Sequence, residues 1–178
     1  TTSQVADFQM VMLNPDGTFD VCGNGLRCLA RFAYEQGIVS RSQMTIETLA
    51  GVRHARICLD PNREVEHISV KMGQPCFEPA VIPAHLETPL DTLLPLAEGE
   101  TLSITALSTG STHAVTFVPQ LPDDATFLRI SPQVENHPLF PERTSLMWCA
   151  VEGDNRLRLR IWERGAGETW GCGTGACA

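Results

Sequence analysis

The sequence predicts an α+β fold made mostly of antiparallel sheet. Three observations carry that prediction. Most of the apolar patterning alternates with period two over short stretches, one stretch alone has a clear helical period, and no regular β-α-β rhythm appears. At 178 residues the chain suits one ordinary domain or two small ones, long enough to bury a core. With 43% hydrophobic and 19% charged residues, its composition is globular and excludes disorder or a fibre.

In chain order, Phe8, Met10 and Met12 alternate with Asp7, Gln9 and Val11, which predicts a half-buried strand. Asn14-Pro15-Asp16-Gly17 then supplies turn residues. Leu26, Leu29, Ala30 and Ala33 recur on one helical face. Gly23-Asn24 lies before them and Gly37 after, so the spacing predicts an amphipathic helix over 24–36. Further alternation predicts strands at 44–49, 52–59, 65–72, 102–107, 113–118, 146–151 and 157–162. The proline- and acid-rich stretch from Gln74 to Glu100 is expected to wrap the surface. A boundary between two halves is expected near Asp60-Pro61-Asn62, giving residues 1–62 and 63–178.

Composition removes several classes of function. The net charge of −8 repels a phosphate backbone. The one basic cluster, Arg156, Arg158 and Arg160, alternates with Leu157, Leu159 and Ile161 and reads as the wet face of a strand, so no nucleic-acid partner is expected. No apolar run approaches the roughly 20 residues of a membrane span. The first residues, TTSQVADFQM, lack the pattern of a signal peptide, so a cytoplasmic location is expected. Lys71 is the single lysine and reads as a solvent-facing strand residue, which argues against a lysine Schiff base or a phosphate-gripping lysine loop. The seven cysteines are an odd number without structural zinc spacing, so reduced thiols and no metal or cofactor are expected.

The most informative feature is a near-repeat. Cys22-Gly23-Asn24-Gly25 opens the predicted helix, and Cys172-Gly173-Thr174-Gly175 lies near the other end of the chain, each after a polar turn. A helix start leaves backbone N–H groups facing outward and carries partial positive charge, and glycines let that backbone approach an anion. The same field favours the thiolate of a cysteine placed there, below its usual pKa of about 8.5. Two such sites suit inversion at a carbon bearing a carboxylate. One thiolate removes the α-proton, the opposite thiol delivers a proton, and the two termini hold the carboxylate. A single Cys-Gly pair is often a packing detail; two in matching contexts are harder to dismiss. Cys28 and Cys177 read as core thiols in the helices after the motifs, and Cys58, Cys76 and Cys149 as packing residues in or beside strands.

The stretches NPDGT-x3-CGNGLRC, IETLAG, VKMGQP, HAVTFV, VENHPLFPERT and ERGAGETWGCGTGACA closely resemble the diaminopimelate epimerase family of cofactor-independent amino-acid epimerases. The resemblance covers essentially the whole chain. It implies two pseudo-symmetric α+β halves, each a mostly antiparallel sheet wrapped around a central helix, with the active site in the cleft between them. It also implies a partial chain, a homodimer, an amino-acid substrate, and a role in making lysine and cell-wall precursors.

Position by position, the resemblance implies Cys22 and Cys172 as the acid/base pair. Gly23, Asn24, Gly173 and Thr174 would give backbone N–H groups to the reacting carboxylate. Asn14 would hold the distal amino-acid end of the substrate and Arg164 its distal carboxylate. Glu163 and His113 would influence protonation of the cysteines, with Glu163 also at the substrate. Ser111 and Ser145 stand where the family usually has substrate-binding asparagines, and the loop from Asn14 to Cys22 is one residue shorter than usual. These departures keep two alternatives open: a related racemase for another amino acid such as histidine, and a non-catalytic anion-binding or redox module.

Overall fold

The computed structural model describes residues 1–14 and 17–178. The chain forms two compact units, Thr1–Gly73 and Gln74–Ala178. The division falls at Gly73/Gln74, not near Asp60-Pro61-Asn62. Those residues form a tight hairpin turn between two paired strands, with Asp60 accepting from the Glu64 and Arg63 N–H groups. Turn chemistry marked the position correctly, but a hairpin turn and a linker use the same residues.

The first unit contains strands β1 (Phe8–Gln9), β2 (Met12–Leu13) and β3 (Phe19–Asp20), helix α1 (Gly23–Glu35), and strands β4 (Gln43–Thr48), β5 (Gly51–Leu59) and β6 (Val65–Lys71). The strand expected over Phe8–Met12 divides in two. β1 pairs in parallel with β4, whereas β2 turns away to form a hairpin with β3. Of the Asn14–Gly17 turn, Pro15 and Asp16 lie outside the described residues; Gly17 N–H donates to the Asn14 carbonyl at 2.9 Å. β4, β5 and β6 are antiparallel neighbours in a four-stranded sheet ordered β1-β4-β5-β6.

α1 lies on this sheet because Leu26, Ala30 and Ala33 meet Met44, Ile46, Ala55 and Ile57 in one core. Its start is capped by Cys22, whose backbone is extended and whose sulfur accepts a helix N–H. Its end closes on Gly37 at φ +68°, a left-handed position suited to glycine, with Val39 N–H reaching the Ala33 carbonyl. Cys28 is exposed, contrary to the core reading, since it lies two positions from both Leu26 and Ala30, on the far side of the helix.

The second unit contains β7 (Thr92–Pro95), β8 (Thr101–Ser108), β9 (Thr112–Val118), helix α2 (Asp124–Glu135), β10 (Ser145–Val151), β11 (Leu157–Glu163) and β12 (Gly167–Thr169). Together they make a six-stranded sheet ordered β12-β11-β10-β9-β8-β7. All neighbours are antiparallel except β9 and β10, which are parallel and joined through α2. One face packs Ala106, Ala114, Leu146 and Trp148 against Phe127, Ile130 and Val134 of α2. The other packs Leu107, Val115, Met147, Cys149 and Ile161 around Cys172. β10 is therefore buried from Ser145 to Ala150, as a strand covered on both sides must be.

Three expectations change here. The Gln74–Glu100 stretch does not merely wrap the surface: it supplies β7 and the fully buried Ile82 and Leu94 to the core. Cys177 is exposed and not a core thiol. Arg160 leaves the wet face, with its guanidinium 3.9 Å over the Phe127 ring and a bond to the Pro122 carbonyl, while Arg156 and Arg158 stay outside with Glu152. Among the described residues, no helix is long and apolar enough to cross a membrane.

Candidate active site

Each Cys-Gly-x-Gly motif folds into the same local turn. At the first, Cys22 Sγ accepts the Gly25 N–H at 3.2 Å while its carbonyl accepts the Leu26 N–H at 2.9 Å. At the second, Cys172 Sγ accepts the Gly175 N–H at 3.3 Å while its carbonyl accepts the Ala176 N–H at 2.9 Å. The second glycine is tightly enclosed in the second motif and less so in the first. A β-carbon on Gly25 would lie 3.0 Å from Met10 Cε, and one on Gly175 only 2.5 Å from Met147 Sδ and 3.3 Å from the Cys172 sulfur. A methionine thus borders the second glycine of each turn. Sequence reading missed this pairing, although both methionines sit at alternating positions of strand-like runs.

The two turns lead into different structures. The first opens α1, of 13 residues, whereas the second opens one short 3₁₀ turn, Gly175–Cys177. Cys172 is also buried, at 8% exposure. Burial pushes the Cys172 thiol up to about 11, and the nearby Glu163 carboxylate adds to the rise. Hydrogen bonds from Thr174 and Gly175 pull the other way and lose. The expectation that the turn lowers this thiol's pKa is therefore overturned: desolvation outweighs the N–H groups.

Around Cys172 the second unit gathers four of the singled-out residues. His113, on β9, has no exposed surface, and its Nδ1 lies 2.9 Å from the Ser111 carbonyl. A carbonyl only accepts, so Nδ1 carries the hydrogen and Nε2 of the neutral ring is an acceptor. Nε2 lies 3.2 Å from Thr174 Oγ1 and 3.9 Å from Cys172 Sγ; Thr174 Oγ1 is 3.1 Å from that sulfur. The Thr174 hydroxyl thus stands within hydrogen-bond distance of both the sulfur and the imidazole and links them in one chain. Thr109 fixes Thr174 from behind by donating to its carbonyl at 3.1 Å, a contact with no signal in the sequence. Glu163 Oε1 accepts from the Thr169 hydroxyl.

Ser145 and Arg164 also meet. The Ser145 hydroxyl accepts the Arg164 N–H at 3.0 Å, and Arg164 Nη1 donates to the Glu142 carbonyl at 3.1 Å. Ser111 contributes its carbonyl to His113, with its side chain half-buried. Gly173 is half-buried beside Cys172. In the first unit, Gly23 and Asn24 stand at the first two positions of α1, and the Asn24 side-chain oxygen accepts from Arg27. The Asn14 amide donates to Thr18 and Asp20 within its own hairpin, at 3.2 and 3.5 Å.

The family model described as "Diaminopimelate epimerase" matches residues 1–78 and 105–178. The diaminopimelate epimerase of Desulforapulum autotrophicum is 43% identical over 182 residues, covering 99% of this chain and 62% of that protein. The Moorella thermoacetica enzyme of the same name is 42% identical over 183 residues, covering 99% and 63%. The chain thus spans less than two thirds of the length of these relatives. In fold it is similar to a probable proline racemase from Agrobacterium radiobacter K84, with a TM-score of 0.74 at 18% identity over 98% of this chain and 55% of that one. A hydroxyproline epimerase from Agrobacterium vitis gives 0.73 at 16% identity, over 98% and 54%. On the family match and these whole-chain identities, the chain belongs to the diaminopimelate epimerase family.

Proposed function

We propose that this chain carries the two cysteines of a cofactor-independent epimerase that interconverts L,L- and meso-diaminopimelate. The observation that supports the chemistry is the recurrence of one sulfur-capped turn, Cys22 with Gly25 and Cys172 with Gly175. The family supports the substrate. Inversion needs a base on one face of the α-carbon and an acid on the other. One sulfur, as thiolate, takes the α-proton, and the C–H electron pair stays on carbon, delocalised into the carboxylate. The second thiol then gives its proton to the opposite face and is left as thiolate.

Cys172, its thiol held protonated by burial, is assigned the acid in neutral solution and Cys22 the base; the reverse reaction exchanges them. The Thr174–His113 path gives the Cys172 proton somewhere to go when that sulfur must act as base. Gly23, Asn24, Gly173 and Thr174 are assigned to the reacting carboxylate, where outward-facing N–H groups stabilise the charge that develops. Asn14, Ser111, Glu163 and Arg164 are assigned to the distal end, and Ser145 to holding the Arg164 backbone. Action in the cytoplasm, as a homodimer, within lysine and peptidoglycan precursor synthesis belongs to the same proposal and rests on the family resemblance.

Incubating the complete, reduced protein with L,L-diaminopimelate and resolving stereoisomers by chiral chromatography tests this reading. Growth of the meso form is the expected result; an unchanged L,L isomer would overturn it.

A further inference from the structure

We propose that Glu135 is a positioning residue that fixes the turn bearing Arg164. Glu135 is the last residue of α2, far in sequence from that turn, and only 6% exposed. Its Oε2 accepts the Trp162 indole N–H at 2.6 Å. Its Oε1 accepts the Gly165 N–H at 2.8 Å and the Arg143 guanidinium at 3.3 Å. One buried carboxylate thus gathers donors from the end of β11, from the turn after it, and from the loop that precedes β10.

The turn itself runs from Glu163 to Ala166, whose N–H reaches the Glu163 carbonyl at 3.0 Å. Gly165 sits at φ +74°, the third position of a turn that favours glycine there. Arg164 lies between two anchors: Ser145 holds its own N–H, and Glu135 holds the next one. With its Nη1 on the Glu142 carbonyl, the arginine is fixed at backbone and tip.

The choice of an acid is informative. A buried carboxylate costs desolvation that an apolar side chain of similar size does not. Among the described residues, each group bonded to this carboxylate is an N–H donor, so both oxygens are used as acceptors. A glutamine would have to turn its NH₂ toward one of those donors, and a leucine would leave them unsatisfied. What the acid gives in return is a defined backbone path through Arg164, the residue that the proposed function assigns to the distal carboxylate. The role in catalysis rests on that reading.

The test compares Glu135→Gln with the parent in the complete protein, with two readouts. In ¹⁵N-resolved NMR, the Gly165 amide and Trp162 indole signals of Glu135→Gln move away from their parent positions, and the Arg164 amide moves with them. In kinetics, KM for diaminopimelate rises about ten- to hundredfold, the scale of a lost charge-assisted contact, while kcat stays within about threefold. Glu135→Asp, which keeps the charge on a shorter arm, is expected between the two.

Unmoved Gly165 and Arg164 signals, or an unchanged KM in active Glu135→Gln, would overturn the proposal. Should Glu135→Gln fail to fold, Glu135→Asp decides, and a KM equal to the parent's overturns it. A parent without epimerase activity would sink the proposed function instead, and the NMR comparison alone then decides whether Glu135 fixes the turn.

Discussion

Cys22 and Cys172 share a turn but not an environment. Cys22 is half-buried at a helix start, whereas Cys172 is enclosed with Thr174, His113 and Glu163. The folded Cys172 thiol holds its proton more tightly than an exposed thiol does, so its contribution to stability is complete below about pH 9. It is lost as pH rises toward about 11. Over that window the loss amounts to about 2–3 kcal/mol. Urea unfolding at pH 8 and pH 10.5 checks it: the parent's stability relative to Cys172→Ala should shrink at the higher pH, and a constant difference would contradict it. Thr174→Val removes the hydroxyl between sulfur and imidazole while keeping the shape. It is expected to lower kcat for epimerisation about ten- to hundredfold, and full activity would argue against the Thr174 path.

Within elements, capping and chemistry can be separated. Serine caps helices at least as well as a thiol, so Cys22→Ser should leave α1 as stable as before or improve it by up to about 1 kcal/mol. The same change should abolish epimerisation, so thermal melting and activity would part company. Gly175→Ala should be the reverse case. Its new carbon would crowd the buried Met147 thioether, at a cost of about 1–3 kcal/mol in stability, read from the denaturation midpoint. Gly25→Ala should cost less, because the nearest atom is the free end of the half-buried Met10. α1 was legible in the sequence because its cap, its apolar stripe and Gly37 all agreed. α2 was not: Pro132 lies inside it and masks the apolar spacing of Phe127, Ile130 and Val134. The Glu135 network was beyond reach for a related reason, since it joins residues up to 30 positions apart that show no local pattern.

Across the whole molecule, the strands at 44–49, 52–59 and 65–72 and the four from 102 to 162 were legible to within about a residue, by alternation where one face is buried and by short apolar runs where, as in β9 and β10, both are. Buried Ile82 and Leu94 were hidden by their proline- and acid-rich neighbours, and the boundary was missed because turn residues do not reveal whether the strands on either side pair. The candidate site was legible in its local geometry, the sulfur-capped turn at each cysteine motif. It was misjudged where burial decides, as at the Cys172 thiol. The proposed epimerisation uses Cys22 and Cys172 as its acid and base. Its most direct test tracks loss of the α-hydrogen by NMR in D₂O, with the complete reduced protein and L,L-diaminopimelate, beside Cys22→Ala and Cys172→Ala. Deuterium should enter at the α-carbon with the parent and with neither variant. Undiminished exchange in both variants, or none in the parent, would contradict the claim.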